Sequence, residues 1–179
     1  AQVWERYERK LHEGGGFDFD DLLVKTVELL KKHADIRESY QKRFRYVHVD
    51  EYQDTNEVQY ELVKLLVGPE KNICVVGDTD QNIYSWRGAN IKNMLHFEKD
   101  YPSTKIVMLE QNYRSTQTII TAASQVIRNN KERKEKTLWT ENEKGVPIIR
   151  AALADERGEA EYVISEMKKI ASADGRSFK

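Results

Sequence analysis

The sequence predicts an α/β fold in which a parallel sheet is flanked by helices. Two observations carry this. Short runs rich in β-branched residues, such as FRYVHV at 44–49 and NICVVG at 72–77, alternate with segments whose apolar residues recur every three or four positions. NICVVG is also apolar without alternation, as expected of a strand covered on both faces.

The elements follow in chain order. Val3, Tyr7 and Leu11 stand four apart and predict one face of a helix over 1–12 that begins without an obvious cap. Gly14-Gly15-Gly16 then reads as a flexible turn. A phosphate loop needs Gly-Lys-Ser/Thr opening a helix, and here Phe17-Asp18 follows. A helix over 18–33 is expected, capped by Asp18 or Asp20, with Phe19, Leu22, Leu23, Val27 and Leu30 on one side. FRYVHV is a strand ending at Asp50, and helical spacing returns at 57–67 through Val58, Leu62, Leu65 and Leu66 until Gly68-Pro69 stops it. Strands are expected at 72–77, 105–109 (KIVML) and 147–153 (PIIRAAL). Ser115 is expected to open a helix with Ile119, Ile120, Ala123, Val126 and Ile127 on one face. Residues 131–145 read as an exposed connection, 156–171 as a helix through Ala160, Val163, Ile164, Met167 and Ile170, and 172–179 as a loop.

Composition bounds the function. One third of the 179 residues are charged and 39% are hydrophobic, which is polar for a globular chain but too apolar for disorder. No apolar run reaches the roughly 18 residues of a membrane span, and the N-terminal AQVWERYERK has no apolar signal core. The single cysteine, Cys74, excludes an internal disulfide, fits a reducing cytoplasm, and is read as a core thiol. The four histidines show no metal-ligand spacing with it. A net charge of -1 excludes a polycation but not nucleic-acid binding, because basic residues can cluster in space.

Parallel sheets bind ligands at the carboxyl ends of their strands, so the residues after each strand carry the chemistry. After the first come Asp50 and Glu51, an acidic pair at the end of an apolar strand. Such a pair suits two tasks, holding Mg²⁺ through oxygen and activating a water; taken alone, the dipeptide equally fits a strand that simply ends in solvent. After the second comes Gly77, which permits a sharp exit from the sheet, followed by Asp78, Asp80 and Gln81, polar groups suited to a phosphate or its attacking water. Tyr84, Trp86 and Arg87 follow, two aromatics and a cation suited to stacking on single-stranded bases, while Ile83 is read as core. After the third come Tyr113 and Arg114; a cation at a helix start opposes the dipole, a local conflict that points to function. For KERKEK at 131–136 two readings stand, phosphate contact or a solvated charged face.

VDEYQDTN at 49–56, VVGDTDQNIYSWRGA at 75–89 and LEQNYRST at 109–116 closely resemble motifs II, III and IV of the UvrD/PcrA/Rep family of superfamily 1 DNA helicases. DFDDLL at 18–23 and TLWTENEKGVPI at 137–148 also look like that family. The resemblance implies a partial RecA-like P-loop NTPase fold. It implies the end of an inserted helical subdomain at 1–16, the latter part of a first RecA-like domain at 17–112, and the beginning of a second at 113–179. The implied activity is ATP-dependent 3′→5′ DNA unwinding in repair or replication, with ATP and Mg²⁺ as cofactors. Single-stranded and forked DNA would be the partners, with accessory proteins open and the chain itself monomeric.

By the same resemblance, Asp50 would bind Mg²⁺ and Glu51 would activate the water. Gln81 would sense the γ-phosphate, Arg114 would act on it as an arginine finger, and Tyr113 would stack on adenine. Tyr84 and Trp86 would stack on DNA bases, and Arg87 would link that site to the nucleotide. The sequence contains no GxxxxGK[ST] and lacks the family's final arginine motif, so the chain is expected to be an internal fragment, inactive alone. Thr79 and Asn82 stand where relatives often carry other residues, and little consequence is expected. Two other readings remain: a helicase–nuclease of the RecB/AddA type, and a single-stranded nucleic-acid-binding module without catalysis.

Overall fold

The computed structural model describes residues 2–131, 133–173 and 175. The chain divides into two compact units, one of Ala1–Gln111 with Ala123–Leu138, the other of Asn112–Ala122 with Trp139–Lys179.

The first unit is built on two helices packed together, α2 (Phe19–Lys32) and α4 (Glu57–Leu66). Asp18 caps α2 by accepting from the Asp21 N–H at 2.9 Å, and acidic residues in its first turn and lysines in its last suit the helix dipole. Val27 and Leu30 are buried. The rest of the expected apolar side is not: Phe19 is 90% exposed and Leu22 57%, because α3 and α4 pack against α2 while its first turn keeps no such cover. Asn56 and Gln59 form a reciprocal capping box on α4, at 2.9 and 3.0 Å.

Between them lies α3 (Ala34–Arg43), which the apolar pattern did not reveal. It buries no residue and is tied down by polar side chains instead. Arg37 donates to the Leu30 carbonyl at 2.8 Å, and Gln41 to those of Leu65 and Val67 at 2.8 and 3.3 Å. Before α2, the helix α1 (Gln2–Glu13) is joined back by Tyr7, whose hydroxyl donates to Asp18 at 2.8 Å.

Two short parallel strands, β1 (Val47–Val49) and β2 (Ile73–Val75), pair in register Val47 with Ile73, His48 with Cys74 and Val49 with Val75. The valines and Ile73 lie on a half-buried face; His48 and Cys74 share the exposed one. Cys74 is therefore exposed rather than a core thiol, a consequence of strand alternation on a sheet covered on one side. The expected strands at 105–109 and 147–153 join no ladder, and Val107, Leu109 and Ile149 are exposed. A β-branched run becomes a strand only where a neighbour takes up its backbone groups.

Beyond β2 lie the one-turn helices α5 (Lys92–Leu95) and α6 (Phe97–Asp100). Phe97 meets the fully buried Tyr52 edge-on, with ring centroids 5.7 Å apart, and Tyr101 at 4.8 Å. Buried Asn93 donates to the Thr55 carbonyl at 3.1 Å, so α5 fixes the turn that follows β1.

In the second unit, α7 (Gln117–Ile127) contributes its first half and α8 (Glu156–Ala173) most of the remainder. Asp155 caps α8 by accepting from the Gly158 N–H at 2.7 Å. The helix takes in Ser172 and Ala173, which had been read as loop; Asp174 and residues 176–179 lie outside the described residues. Val163, Ile164, Met167 and Ile170 on α8 are exposed. No described helix is long and apolar enough to cross a membrane.

The capping box gives a direct check. Asn56→Ala should lower stability by about 1 kcal/mol in denaturant titrations followed by circular dichroism. Asn56→Asp, which keeps the acceptor, should recover most of it.

Candidate functional site

The backbone pairing of the strands continues past the ladder. Val76 donates to the Val49 carbonyl at 2.8 Å, and Tyr52 donates to the Val76 carbonyl at 3.0 Å. The segments after β1 and β2 thus leave the sheet side by side at its carboxyl edge.

Asp50 and Glu51 stand exposed at that edge. One Asp50 carboxylate oxygen accepts the Glu51 N–H at 2.9 Å. Glu51 adopts the left-handed region, φ 49° and ψ 41°, which a residue with a side chain rarely occupies. That conformation turns the extended chain directly into the tight turn Tyr52–Asp54. Beside the carboxylates is an open cavity of about 330 Å³, lined among others by Asp54, Thr55 and Gln59.

Gln53 is 1% exposed and connects the two strand ends. Its amide nitrogen donates to the Glu51 carboxylate at 2.7 Å, and its amide oxygen accepts the Asp78 N–H at 3.0 Å. Its backbone carbonyl accepts the Asn82 amide at 2.5 Å. Gly77 makes room for it: a Cβ there would lie 2.5 Å from the Gln53 amide oxygen and 3.2 Å from the Tyr52 nitrogen.

Asp78 organises the loop behind Gly77. It accepts the Asp80 N–H at 2.9 Å and the Gln81 side-chain amide at 2.9 Å. Burial pushes its carboxyl up, but the Lys136 ammonium, the Gln81 amide and the Asp80 N–H outweigh this and hold it below the usual carboxylate value.

Within the charged segment at 131–136, Arg133, Lys134 and Lys136 are paired with carboxylates rather than solvated or free for a phosphate, while Lys131 and Glu135 are exposed. Lys136 pairs with Asp78 and also reaches Asp80 at 3.7 Å. Arg133 pairs with Asp80 at 2.8 Å, with side chains only 13% and 8% exposed. Lys134 pairs with Glu98, and its backbone N–H reaches the buried Thr79 hydroxyl at 3.4 Å. Sequence reasoning missed these residues because each partner lies far away in sequence, 36 positions from Lys134 to Glu98 and 53 from Arg133 to Asp80, and a run of mixed charge looks the same whether solvated or paired. Asn82 and Thr79, expected to matter little, are both tied into this network.

Farther along the loop, Tyr84 and Trp86 stand 6.4 Å apart between ring centroids, with Trp86 73% exposed. The Arg87 guanidinium lies 4.6 Å from the Trp86 ring and 5.5 Å from that of Tyr84, a cation shared between two aromatic faces. Asp54, Asn56, Gln59, Tyr84 and Arg87 line a second open cavity of about 320 Å³. Ile83, read as core, is 70% exposed, because the loop presents its whole 83–87 stretch outward.

Tyr113 and Arg114 belong to the second unit, and both are exposed. Asn112 accepts the N–H groups of Arg114 and Ser115 at 3.0 and 2.7 Å, and Asn142 donates to the carbonyls of Tyr113 and Ser115 at 3.2 and 3.1 Å. Gly145, at φ 76°, sits where a Cβ would collide with Thr116 at 2.5 Å. The 139–145 segment therefore braces the Tyr113–Arg114 turn. The helix begins at Gln117, not Ser115, so Arg114 lies outside its first turn and no dipole conflict arises.

The donor set suits hydrated Mg²⁺ with a nucleotide. Among the described residues no three acidic, histidine or cysteine side chains converge into a metal cage. Mg²⁺, however, takes one or two carboxylates and completes its shell with water and phosphate oxygens, and Asp50 offers such a carboxylate beside an open cavity.

A carboxylate pair at one parallel strand end, with a polar loop locked to it from the next, defines a partial RecA-like helicase domain. The chain belongs to the UvrD-like helicase family: residues 1–102 match the UvrD/REP helicase N-terminal domain and residues 107–178 the UvrD-like helicase C-terminal domain. It is 54% identical over 169 residues to the ATP-dependent DNA helicase PcrA of Staphylococcus aureus, and 53% identical to that of Staphylococcus epidermidis. The match covers 94% of this chain but 23% of each relative, so the chain spans about a quarter of their length.

The Asp78 carboxyl, held low in the fold, contributes stability that is present above its ordinary value and lost as pH falls through its depressed one. Lys136→Met should therefore lower the thermal midpoint near neutral pH. The gap to the unaltered chain should close in strong acid, where Asp78 is protonated in both.

Proposed function

We propose that the chain is the part of an ATP-dependent 3′→5′ DNA helicase that carries the water-activating carboxylate, the loop coupled to it, and the arginine that completes the nucleotide site. The observation that carries this is the placement of Asp50-Glu51 and Gly77–Arg87 at the carboxyl ends of adjacent parallel strands, joined through Gln53. Residues 1–16 would close an inserted helical subdomain, 17–112 belong to a first RecA-like domain, and 113–179 begin a second. The likeness to ATP-dependent DNA helicases supports DNA as the substrate. In this reading the parent protein works on single-stranded and forked DNA in repair or replication, in the cytoplasm.

ATP with Mg²⁺, when bound, supplies a terminal phosphoryl group open to attack by water, its charge partly neutralised by the metal. The residues of this chain then have separate tasks. Asp50 offers an exposed carboxylate that would hold Mg²⁺. Glu51 takes the proton of the attacking water, its carboxylate oriented by the Gln53 amide. Gln81, steadied by Asp78, reads the terminal phosphate. By the family resemblance, Arg114 would bring positive charge to that phosphate and Tyr113 an aromatic face to the base. Tyr84 and Trp86 stack on DNA bases, with Arg87 between their rings.

A second reading, a single-stranded DNA-binding module without catalysis, is favoured by the exposure of Trp86 beside Tyr84 and Arg87.

Two measurements test these assignments. The chain contains no GxxxxGK[ST], so purified alone it should not turn ATP over. Robust Mg²⁺-dependent hydrolysis that Glu51→Gln abolishes would overturn this. Fluorescence titration with a single-stranded oligonucleotide at low salt should show weak binding that Trp86→Ala reduces by about 1–3 kcal/mol. Binding indifferent to Trp86→Ala would remove the stacking role.

A further inference from the structure

Gln53 is the most enclosed polar side chain of the first unit, and no role was assigned to it from sequence. Its surroundings fix the orientation of its amide from two sides at once. The nitrogen faces an acceptor, the Glu51 carboxylate at 2.7 Å; the oxygen faces a donor, the Asp78 N–H at 3.0 Å. Turning the amide over would set oxygen against carboxylate and N–H against N–H. Two attractions would become two repulsions around a side chain that is itself only 1% exposed. Gly77 removes the only volume that would push the amide away, and the Asn82 bond to the Gln53 carbonyl holds the main chain in place.

We propose that Gln53 is a positioning residue through which the Glu51 carboxylate governs the loop at 77–82. This deepens the helicase reading and rests on it for its meaning. While Glu51 accepts from the amide nitrogen, the amide oxygen stays aimed at the Asp78 N–H. Asp78 in turn holds the Gln81 side chain with one carboxylate oxygen and Asp80 with the other. Once Glu51 has drawn a proton from a water, or the oxygen that accepts from the amide has turned to another donor, the amide loses one of its two anchors. The loop that carries Gln81, Tyr84 and Trp86 is then less tightly held. The coupling requires no movement of the sheet, only loss of one hydrogen bond next to another.

The test is a double-mutant cycle read by amide hydrogen exchange at Asp78 in this chain. It needs neither ATP nor DNA, so its outcome is independent of whether the parent is a helicase. Gln53→Met, which keeps the side-chain length and removes both polar atoms, should speed Asp78 exchange about tenfold, the effect of one ordinary hydrogen bond. Glu51→Ala should speed it severalfold in the unaltered background, with exchange in α2 and α4 unchanged. In the double variant the second change should add nothing. Equal effects of Glu51→Ala with and without Gln53, or no effect of Glu51→Ala at all, would overturn the proposal. If Gln53→Met does not fold, Gln53→Glu serves instead. It keeps an acceptor for Asp78 but sets a second carboxylate against Glu51, so Glu51→Ala should now slow Asp78 exchange by relieving that repulsion instead of speeding it. A Glu51→Ala change that still speeds exchange there overturns the proposal equally.

Discussion

The candidate site depends on the parallel pairing of β1 and β2 and on its continuation beyond the ladder. Three paired residues make a small sheet, but the bonds Val76 to Val49 and Tyr52 to Val76 carry the alignment two steps further. That is far enough to bring Asp50-Glu51 and the 77–82 loop into one place. Each such bond contributes only about 0.5–1.5 kcal/mol net, so the alignment holds because several act together over buried Tyr52 and Gln53. Glu51 accepts a left-handed backbone for the same end, since without that turn Tyr52 would not reach the core and Gln53 would not reach Asp78.

The helices play a supporting part that differs from one to the next. α2 and α4 pack through apolar side chains, and their capping residues make their starts sharp. α3 holds by side-chain donors to carbonyls that helix ends and loops leave open, so it is a helix of polar fastening rather than of burial. α5 and α6 are single turns, and their role is local: Asn93 and Phe97 clamp the turn at 52–55 from behind.

How much of this was legible in the sequence follows from the range of the interactions. Helices with caps and a recurring apolar face could be read, because their causes lie within a few residues; 19–32 and 57–66 came within a residue or two of expectation. The first two strands were placed, though longer than they are. The strands at 105–109 and 147–153 were not realised, because a strand depends on a partner that local pattern does not supply. α3 escaped notice since polar fastening leaves no periodic trace. At the site, Asp50, Glu51, Tyr84, Trp86 and Arg87 stood out by residue type after a strand. Gln53, Asn82, Arg133 and Lys136 did not, since an amide or a lysine acquires its role from a partner that only folding brings near.

The acidic residues at the two strand ends illustrate that difference. Asp78 and Asp80 are answered by ammonium and guanidinium groups from the 133–136 segment, and their negative charge is spent on holding the loop together. Glu51 is answered by a neutral amide, and Asp50 by a backbone N–H. A neutral donor orients a carboxylate without cancelling its charge. That is the arrangement a group must have if it is to attract a cation or accept a proton. Four carboxylates of one kind, within thirty-one residues of sequence, are thus divided by their partners into two that fasten and two left open for chemistry.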